Sequence, residues 1–387
     1  MPMNSALGLS ERDGSAYDVA VIGGGVMGCT VALHLARAGM RAIVLERDRI
    51  FRQASGVNAG TIAMQTKTPF MVPYHLKGWE LWRDARSWLG QDVGFAQRGS
   101  INLAFTDAEA ETLQQLVPDR VAAGAPIEFI GTNRALEIEP NIAPDAKLYA
   151  YSAMDGYADA LQAGRAYRAA LNAAGCEVRE QCPVGRIARD GALFAISAGG
   201  LPMRARRLVL AVGAWLEPFA AKMGVHLPLD YQVVQMAVTE RMAPLLNVIV
   251  SSATNLLTLK QAANGSVLIG GGWFARGSTG TPERELIVEH LIGNMRLAPA
   301  TVAGLRKARL ARTWIGINGM NPDRRPIIGA LPGVADAYVI GGVRSGFTGG
   351  PILGRILAQA ILGQVPDMPI DFFDPARFSR PAEQAAG

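Results

Sequence analysis

At 387 residues the chain exceeds what one hydrophobic core ordinarily organises, so a large two-part unit or two domains is expected. Hydrophobic residues make up 49% against 18% charged, with 44 glycines, which excludes a disordered or fibrous chain and predicts many tight turns. A formal charge of +5, from 38 basic and 33 acidic residues without a basic run, reads as a solvated surface and not a nucleic-acid face, and leaves an anionic substrate open.

Cys29, Cys176 and Cys182 form no CxxC pair and leave an odd count, which argues against a disulfide framework, a zinc site or an iron-sulfur cluster of the chain's own. Met1 to Tyr17 mixes polar and charged residues and lacks the apolar core of a secretory signal. The segment nearest to a membrane span, Leu208 to Val225, is broken by Glu217, Pro218 and Lys222, so a cytoplasmic protein without a transmembrane segment is expected.

Asp18 to Ile22 reads as a short apolar strand, followed at once by Gly23-Gly-Gly25-Val26-Met27-Gly28 and a helix to about Arg37. Gly23 permits the tight turn, Gly25 lets a pyrophosphate approach the backbone and Gly28 lets the helix pack on the strand. The helix start turns free N–H groups and a positive dipole end towards the phosphates. Gly39 ends the helix, Ala42 to Leu45 forms a second strand, and Glu46, with Arg47 beside it, lies at roughly the 20-residue interval where an acid accepts from a ribose hydroxyl. Strand, helix, second strand and acid together predict a dinucleotide site, without deciding which dinucleotide.

A Gly/Ser/Asn loop follows from Gln53 to Gly60, and then helical periodicity around Leu76 to Leu89 and Ala108 to Leu116. Tyr157 to Gly175 reads as a helix closed by glycine, and Val184, among the short strands after it, is a further candidate cofactor contact. Arg207 to Val212 is a strand ending on Gly213. Leu227 to Trp273 is mostly strand, with a hairpin turning at Ala263-Asn264-Gly265; Glu283 to Met295 is helical, and the last third clusters its glycines. Without a repeat or long linker, two domains would be interleaved.

The βαβ unit followed by Ala54-Ser55-Gly56-Val57-Asn58-Ala59-Gly60 resembles the amine- and D-amino-acid-oxidising flavoprotein family, which includes sarcosine and glycine oxidases, D-hydroxyproline dehydrogenases and opine oxidase β-subunits. Three further motifs are similar in the same order: Leu208-Val-Leu-Ala-Val-Gly213-Ala-Trp215, the segment Trp314 to Gly329, and the glycine-rich loop Gly341-Gly-Val-Arg344-Ser-Gly346-Phe347-Thr348-Gly-Gly-Pro351. The resemblance implies an α/β (α+β) fold, with a Rossmann-type FAD-binding domain (16–75, 151–215 and 315–375) interleaved with an antiparallel-sheet substrate domain (76–150 and 216–314). It implies FAD, held noncovalently because no cysteine lies in the C-terminal loop, with Ser55, Asn58, Ala59 and Gly60 beside it.

The implied activity is oxidation of the C–N bond of a small amine or amino acid (a D-amino acid, an N-substituted amino acid such as sarcosine, or an opine) by hydride transfer to flavin N5. In that chemistry the protein orients the substrate and holds its carboxylate. Arg344 occupies the loop position from which members present an arginine, although a structural arginine is the alternative. Many members carry a second arginine where this chain has Asn318, and an amide cannot neutralise a carboxylate. Lys260, on a strand that faces the flavin in relatives, would supply the missing cation, unless it is an ordinary exposed strand lysine.

Tyr231 and Trp273 are candidate pocket walls or core aromatics, and His75 and His226 candidate proton carriers or structural histidines. No histidine shows ligand spacing, so no metal is expected. The resemblance further implies a β-subunit whose partner carries a second flavin or an iron-sulfur centre, with a self-sufficient single chain as the alternative. An RNA-modifying flavoprotein and a non-catalytic electron-transfer or structural flavoprotein subunit are the competing readings.

Overall fold

The computed structural model describes residues 16–378. The reading of Met1 to Tyr17 as free of a secretory core therefore falls, Ala16 and Tyr17 apart, outside the described residues.

The run Tyr17–Ile22 is the centre of the first sheet, because its apolar side chains can be buried on both faces. It pairs in parallel with Ala42–Leu45 on one side and with the long strand Leu201–Leu210 on the other. Glu177–Arg179 extends the sheet beyond Ala42–Leu45, and Ala337–Gly341 runs parallel to the end of Leu201–Leu210. Antiparallel pieces finish it: Ile327–Ala330, and the hairpin of Val184–Asp190 with Leu193–Ala198.

Alternation decides the layers. Val19 and Val21 face the helices Val26–Arg37, Ala160–Ala173 and Gly346–Ile361, whereas Ala20 and Ile22 face a second core containing Phe194, Leu216 and Val339. The helix expected from Tyr157 starts at Ala160, because Asp159 accepts from the N–H groups of Leu161 and Gln162 and so caps it.

The second sheet has eight strands, antiparallel except where Ile249–Ser252 runs parallel to Ser100–Ala104. Its edge pair is long: Asp230–Arg241 opposes Leu310–Met320 from Asp230↔Met320 to Thr239↔Leu310. The expected hairpin forms Thr258–Gln261 and Ser266–Gly270, paired antiparallel. The helix expected at Glu283 begins later, at Val288–Thr301, since Arg284–Glu285 pairs with Arg276–Gly277. The divisions drawn at 76, 151 and 315 fall inside single elements, namely Val72–Arg83, Leu148–Ser152 and Leu310–Met320.

The stretch Gly341 to Pro351, expected as a glycine-rich loop, is a loop only from Gly342 to Ser345; Gly341 ends the strand Ala337–Gly341, and from Gly346 the chain is the helix Gly346–Ile361. Its glycines serve close packing. A Cβ on Gly350 would stand 2.5 Å from Val26 Cγ1, and one on Gly354 would stand 2.6 Å from Thr30 Cβ. This helix and Val26–Arg37 therefore lie almost backbone to backbone, with both N-termini at the carboxyl end of the parallel strands, where ligands bind in such sheets. No helix among the described residues is long and apolar enough to cross a membrane.

Candidate dinucleotide and substrate site

A cavity of about 620 Å³ runs from that carboxyl end to the inner face of the second sheet. At its start Gly23 turns with φ +107, and a Cβ there would run into the Ala211 carbonyl. Gly25 precedes the helix without a side chain to cap it, and Ser55 Oγ accepts the Val26 N–H at 2.9 Å. Val26 and Met27 line the cavity, so the helix's opening turn is presented to whatever fills it. Gly28 does not line it, and packs its bare Cα under the turn against Gly23 and Ala211. Glu46 is buried, with Oε2 accepting from Gly24 N–H at 2.7 Å and Oε1 from Asp48 N–H at 2.9 Å. Each oxygen keeps a lone pair for a ribose hydroxyl. Arg47 stacks on the Trp215 ring with its guanidinium carbon 3.7 Å from the centroid, and Val184 and Gly213 complete this end.

Further along, Ala54, Ser55, Asn58 and Ala59 line the cavity from a short helix, Ala54–Val57, and the residues just after it. The Asn58 amide is committed to its own turn, donating to the carbonyls of Ala54 (2.9 Å) and Ser55 (2.7 Å) and accepting from Gly60 N–H at 2.6 Å. Gly60 lies off the cavity, pressed on the Ala158 carbonyl. Gly346, Phe347 and Thr348 line it as the first turn of their helix, whose N-cap Ser345 takes the left-handed conformation at φ 62. The Phe347 ring faces away and stacks on Trp82 at 4.5 Å, and Thr348 Oγ1 donates to the Thr61 carbonyl at 3.2 Å.

The substrate candidates separate cleanly. Arg344 and Asn318 both line the cavity, and Arg344 has no hydrogen-bond or ion-pair partner among the described residues. Lys260 is neither in the cavity nor exposed. Its ammonium sits 4.5 Å over the Tyr157 ring, and burial pushes it down to about 7 against the pull of Asp159. Tyr231 packs with Ala214 and Val233, and Trp273 packs on His290 and donates to the Leu256 carbonyl; neither lines the cavity. His226 is a surface residue 3.8 Å from Glu217. His75 is buried, its ring nitrogens without partners, beside a small second cavity of about 40 Å³ that adjoins Arg344.

Several lining residues escaped the sequence reading. Gln232, Val234 and Met236 enter from one face of Asp230–Arg241, with Gln232 directly opposite Asn318. Their period-2 spacing in a strand was the available signal. Lys67 had none, standing in a loop. The turn before it is fixed from outside: Asp155 Oδ1 accepts the Met64 N–H at 2.8 Å, and Arg120 Nε donates to the Lys67 carbonyl at 2.8 Å. Burial pushes the Lys67 ammonium down to about 8; Asp155 opposes this, while Arg344 and Arg120 reinforce it. Burial likewise raises Asp155 to about 6, although its bonds from Ser100 and Met64 hold it down. Cys29, Cys176 and Cys182 are all free, and no His/Cys/Asp/Glu group that could hold a metal exists among the described residues.

A family model described as FAD dependent oxidoreductase matches residues 18–360. The chain is 28% identical over 357 residues to a glycine oxidase from Geobacillus kaustophilus (strain HTA426), covering 89% of this chain and 93% of that protein. It is 26% identical over 385 residues to an opine oxidase subunit from Agrobacterium tumefaciens (strain Ach5), covering 95% and 99% respectively. The crystal structure of glycine oxidase from Geobacillus kaustophilus has the same fold, with a TM-score of 0.83 at 25% identity over 94% of this chain and 99% of that one.

Proposed function

We propose, for a chain that belongs to the FAD dependent oxidoreductase family and is an FAD-dependent enzyme, that its substrate is a small amino acid with a substituted nitrogen, oxidised at the C–N bond to an imine. The residues present fit the cofactor: a capless helix start at Gly25, a glycine turn with no room for a Cβ and a buried acid at Glu46 match a dinucleotide's phosphates and ribose. Val26, Met27 and Ser55 would hold the pyrophosphate, Glu46 the ribose, and the backbone of Gly346 to Thr348 the far end. Bound there, FAD supplies the two-electron acceptor for the C–H bond that is broken.

The observation that carries the substrate reading is Arg344, a guanidinium without a partner among the described residues, lining the same cavity as the neutral amides of Asn318 and Gln232, which face each other across paired strands. Arg344 binds the carboxylate as a two-point fork and thereby fixes which face of the α-carbon is presented. The amides can accept from the substrate's N–H or donate to a polar substituent, but they take no proton. Imine formation requires the amine's lone pair, so the reacting form is the free base, whose N–H the amide oxygen of Asn318 or Gln232 can accept. The N-terminus of Gly346–Ile361 adds a positive dipole end where negative charge gathers.

A panel of amino acids, N-alkyl amino acids and the matching amines, mixed anaerobically with the FAD-loaded protein, tests this reading through loss of flavin absorbance. N-alkyl amino acids are expected to bleach it and amines without a carboxylate are not; equal bleaching by both would end the reading. We further propose that the chain works as the catalytic subunit of a heteromeric dehydrogenase, supported by its similarity to a protein named as an opine oxidase subunit. The expected result is turnover with an artificial electron acceptor well above turnover with oxygen, whereas full oxygen-consuming activity of the lone chain would rule this out.

A further inference from the structure

The cavity of about 40 Å³ behind Arg344 has no role in the chemistry above, and its lining is unusual. Thr66, Lys67, Val343, Arg344 and Ser345 line both this chamber and the main cavity, so the two share a wall. Lys67 is 5% exposed, and its ammonium has no hydrogen-bond or ion-pair partner among the described residues. His75 is 2% exposed, and neither of its ring nitrogens has a partner. Burying such groups alone is costly, because each has left water without replacing its hydrogen bonds. Asp155 acts on Lys67 only through its charge and makes no hydrogen bond to it, its oxygens taking the Met64 N–H and the Ser100 hydroxyl at 2.8 and 2.6 Å. The chamber's volume exceeds the one-water minimum of roughly 15 Å³, so it has room for a small polar group.

We infer that this chamber is a second anion subsite, and that the substrate bears on its nitrogen a substituent ending in a second carboxylate, which Lys67 receives. The inference rests on the proposed function, and it narrows the N-substituted amino acids to iminodiacids, in which one carboxylate meets Arg344 and the other Lys67. Lys67 does not replace the arginine absent at Asn318; it lines both chambers together with Arg344 and so serves a different anion. Neutral His75 contributes one N–H to the same group; burial holds its ring well below the usual histidine range, and Lys67 adds to that. Arg324, on the outer wall, adds a third positive charge.

Two measurements on the full-length FAD-loaded chain test this. In the first, an N-methyl amino acid is compared with the N-carboxymethyl derivative of the same amino acid. Wild type is expected to favour the dicarboxylate by about tenfold or more in kcat/KM, mostly through KM; Lys67→Met should lower that ratio about tenfold, and Lys67→Arg should restore part of it. The second needs no turnover: glutarate, the carbon isostere of iminodiacetate, and butyrate are titrated while the flavin spectrum is followed. Wild type is expected to bind glutarate about tenfold more tightly than butyrate, a preference that Lys67→Met removes.

Equal binding of glutarate and butyrate by wild type overturns the subsite, even where N-methyl amino acids bleach the flavin. So does a glutarate preference that survives in Lys67→Met. If no N-substituted amino acid reduces the flavin while the Lys67-dependent glutarate preference holds, the subsite stands and the proposed reaction falls. The wild-type comparison requires no variant to fold, and flavin content checks those that are made.

Discussion

Replacing Glu46 by glutamine keeps the side chain's size and removes one acceptor. Its two carboxylate oxygens take Gly24 N–H at 2.7 Å and Asp48 N–H at 2.9 Å, bridging the glycine turn to the end of the second strand. Glutamine offers one oxygen and one NH2, so one of those backbone donors must face another donor. At 8% exposure, water cannot readily replace the lost acceptor. Losing one hydrogen bond to a charged group costs about 1.5–3 kcal/mol. That is roughly a 10- to 150-fold change in an equilibrium constant. Both bonds are between the chain's own groups, so this loss is read from the urea midpoint of the apo chain. Any ribose contact is a separate loss, read from the FAD dissociation constant by quenching of flavin fluorescence. If the apo midpoint stays in place and FAD affinity changes less than about twofold, Glu46 neither braces the turn nor touches the ribose, and the site has been misread.

Arg344→Met is expected to raise KM for a carboxylate-bearing substrate about 100-fold, the scale of losing a charge-assisted fork, and to leave FAD affinity within about twofold; an unchanged KM would refute its role. Lys260→Met should stabilise the chain at neutral pH by about a few kcal/mol, because burial holds the folded-state ammonium at about 7, below the usual 10.5. Between those values the unfolded chain binds more protons, so wild-type stability climbs as pH rises from about 7 towards 10.5 and the advantage of the variant shrinks; a difference that stays flat across this range contradicts the burial. Gly78→Ala would drive a Cβ into the Thr348 carbonyl on the neighbouring helix, a backbone atom that cannot step aside, and should cost about 1–3 kcal/mol in urea unfolding.

The cofactor end was legible because its requirements are local. A turn with φ +107 at Gly23, a helix start without a side-chain cap and an acid at the end of the next strand occupy one short stretch of chain, so spacing alone carries them. Gly60 and Asn58 show the limit of that reasoning. Both belong to the loop beside the cavity, yet one is small to clear the Ala158 carbonyl and the other has its amide wholly engaged by Ala54, Ser55 and Gly60. The C-terminal glycines read as a loop in sequence because glycine signals a turn more often than a close helix crossing. Only the neighbouring helix, with Val26 and Thr30 against Gly350 and Gly354, gives the other explanation.

At the substrate end Arg344 and Asn318 were legible and the second cation was not, for a different reason: burial depends on the whole fold. Lys260 and Lys67 each stand in sequence beside polar residues, and both are buried lysines whose ammonium burial weakens. What separates them is what each one faces. Lys260 rests on the Tyr157 ring, which answers part of its charge through the ring's negative face, and it has no opening to the cavity. Lys67 faces empty space shared with Arg344, with Asp155 committed elsewhere. A folded chain tolerates an unanswered buried ammonium where something else repays the desolvation, and an anion delivered with the substrate is such a compensation. The residue that sequence favoured as the second cation is thus a packed lysine, and the one it passed over has the geometry of a receptor.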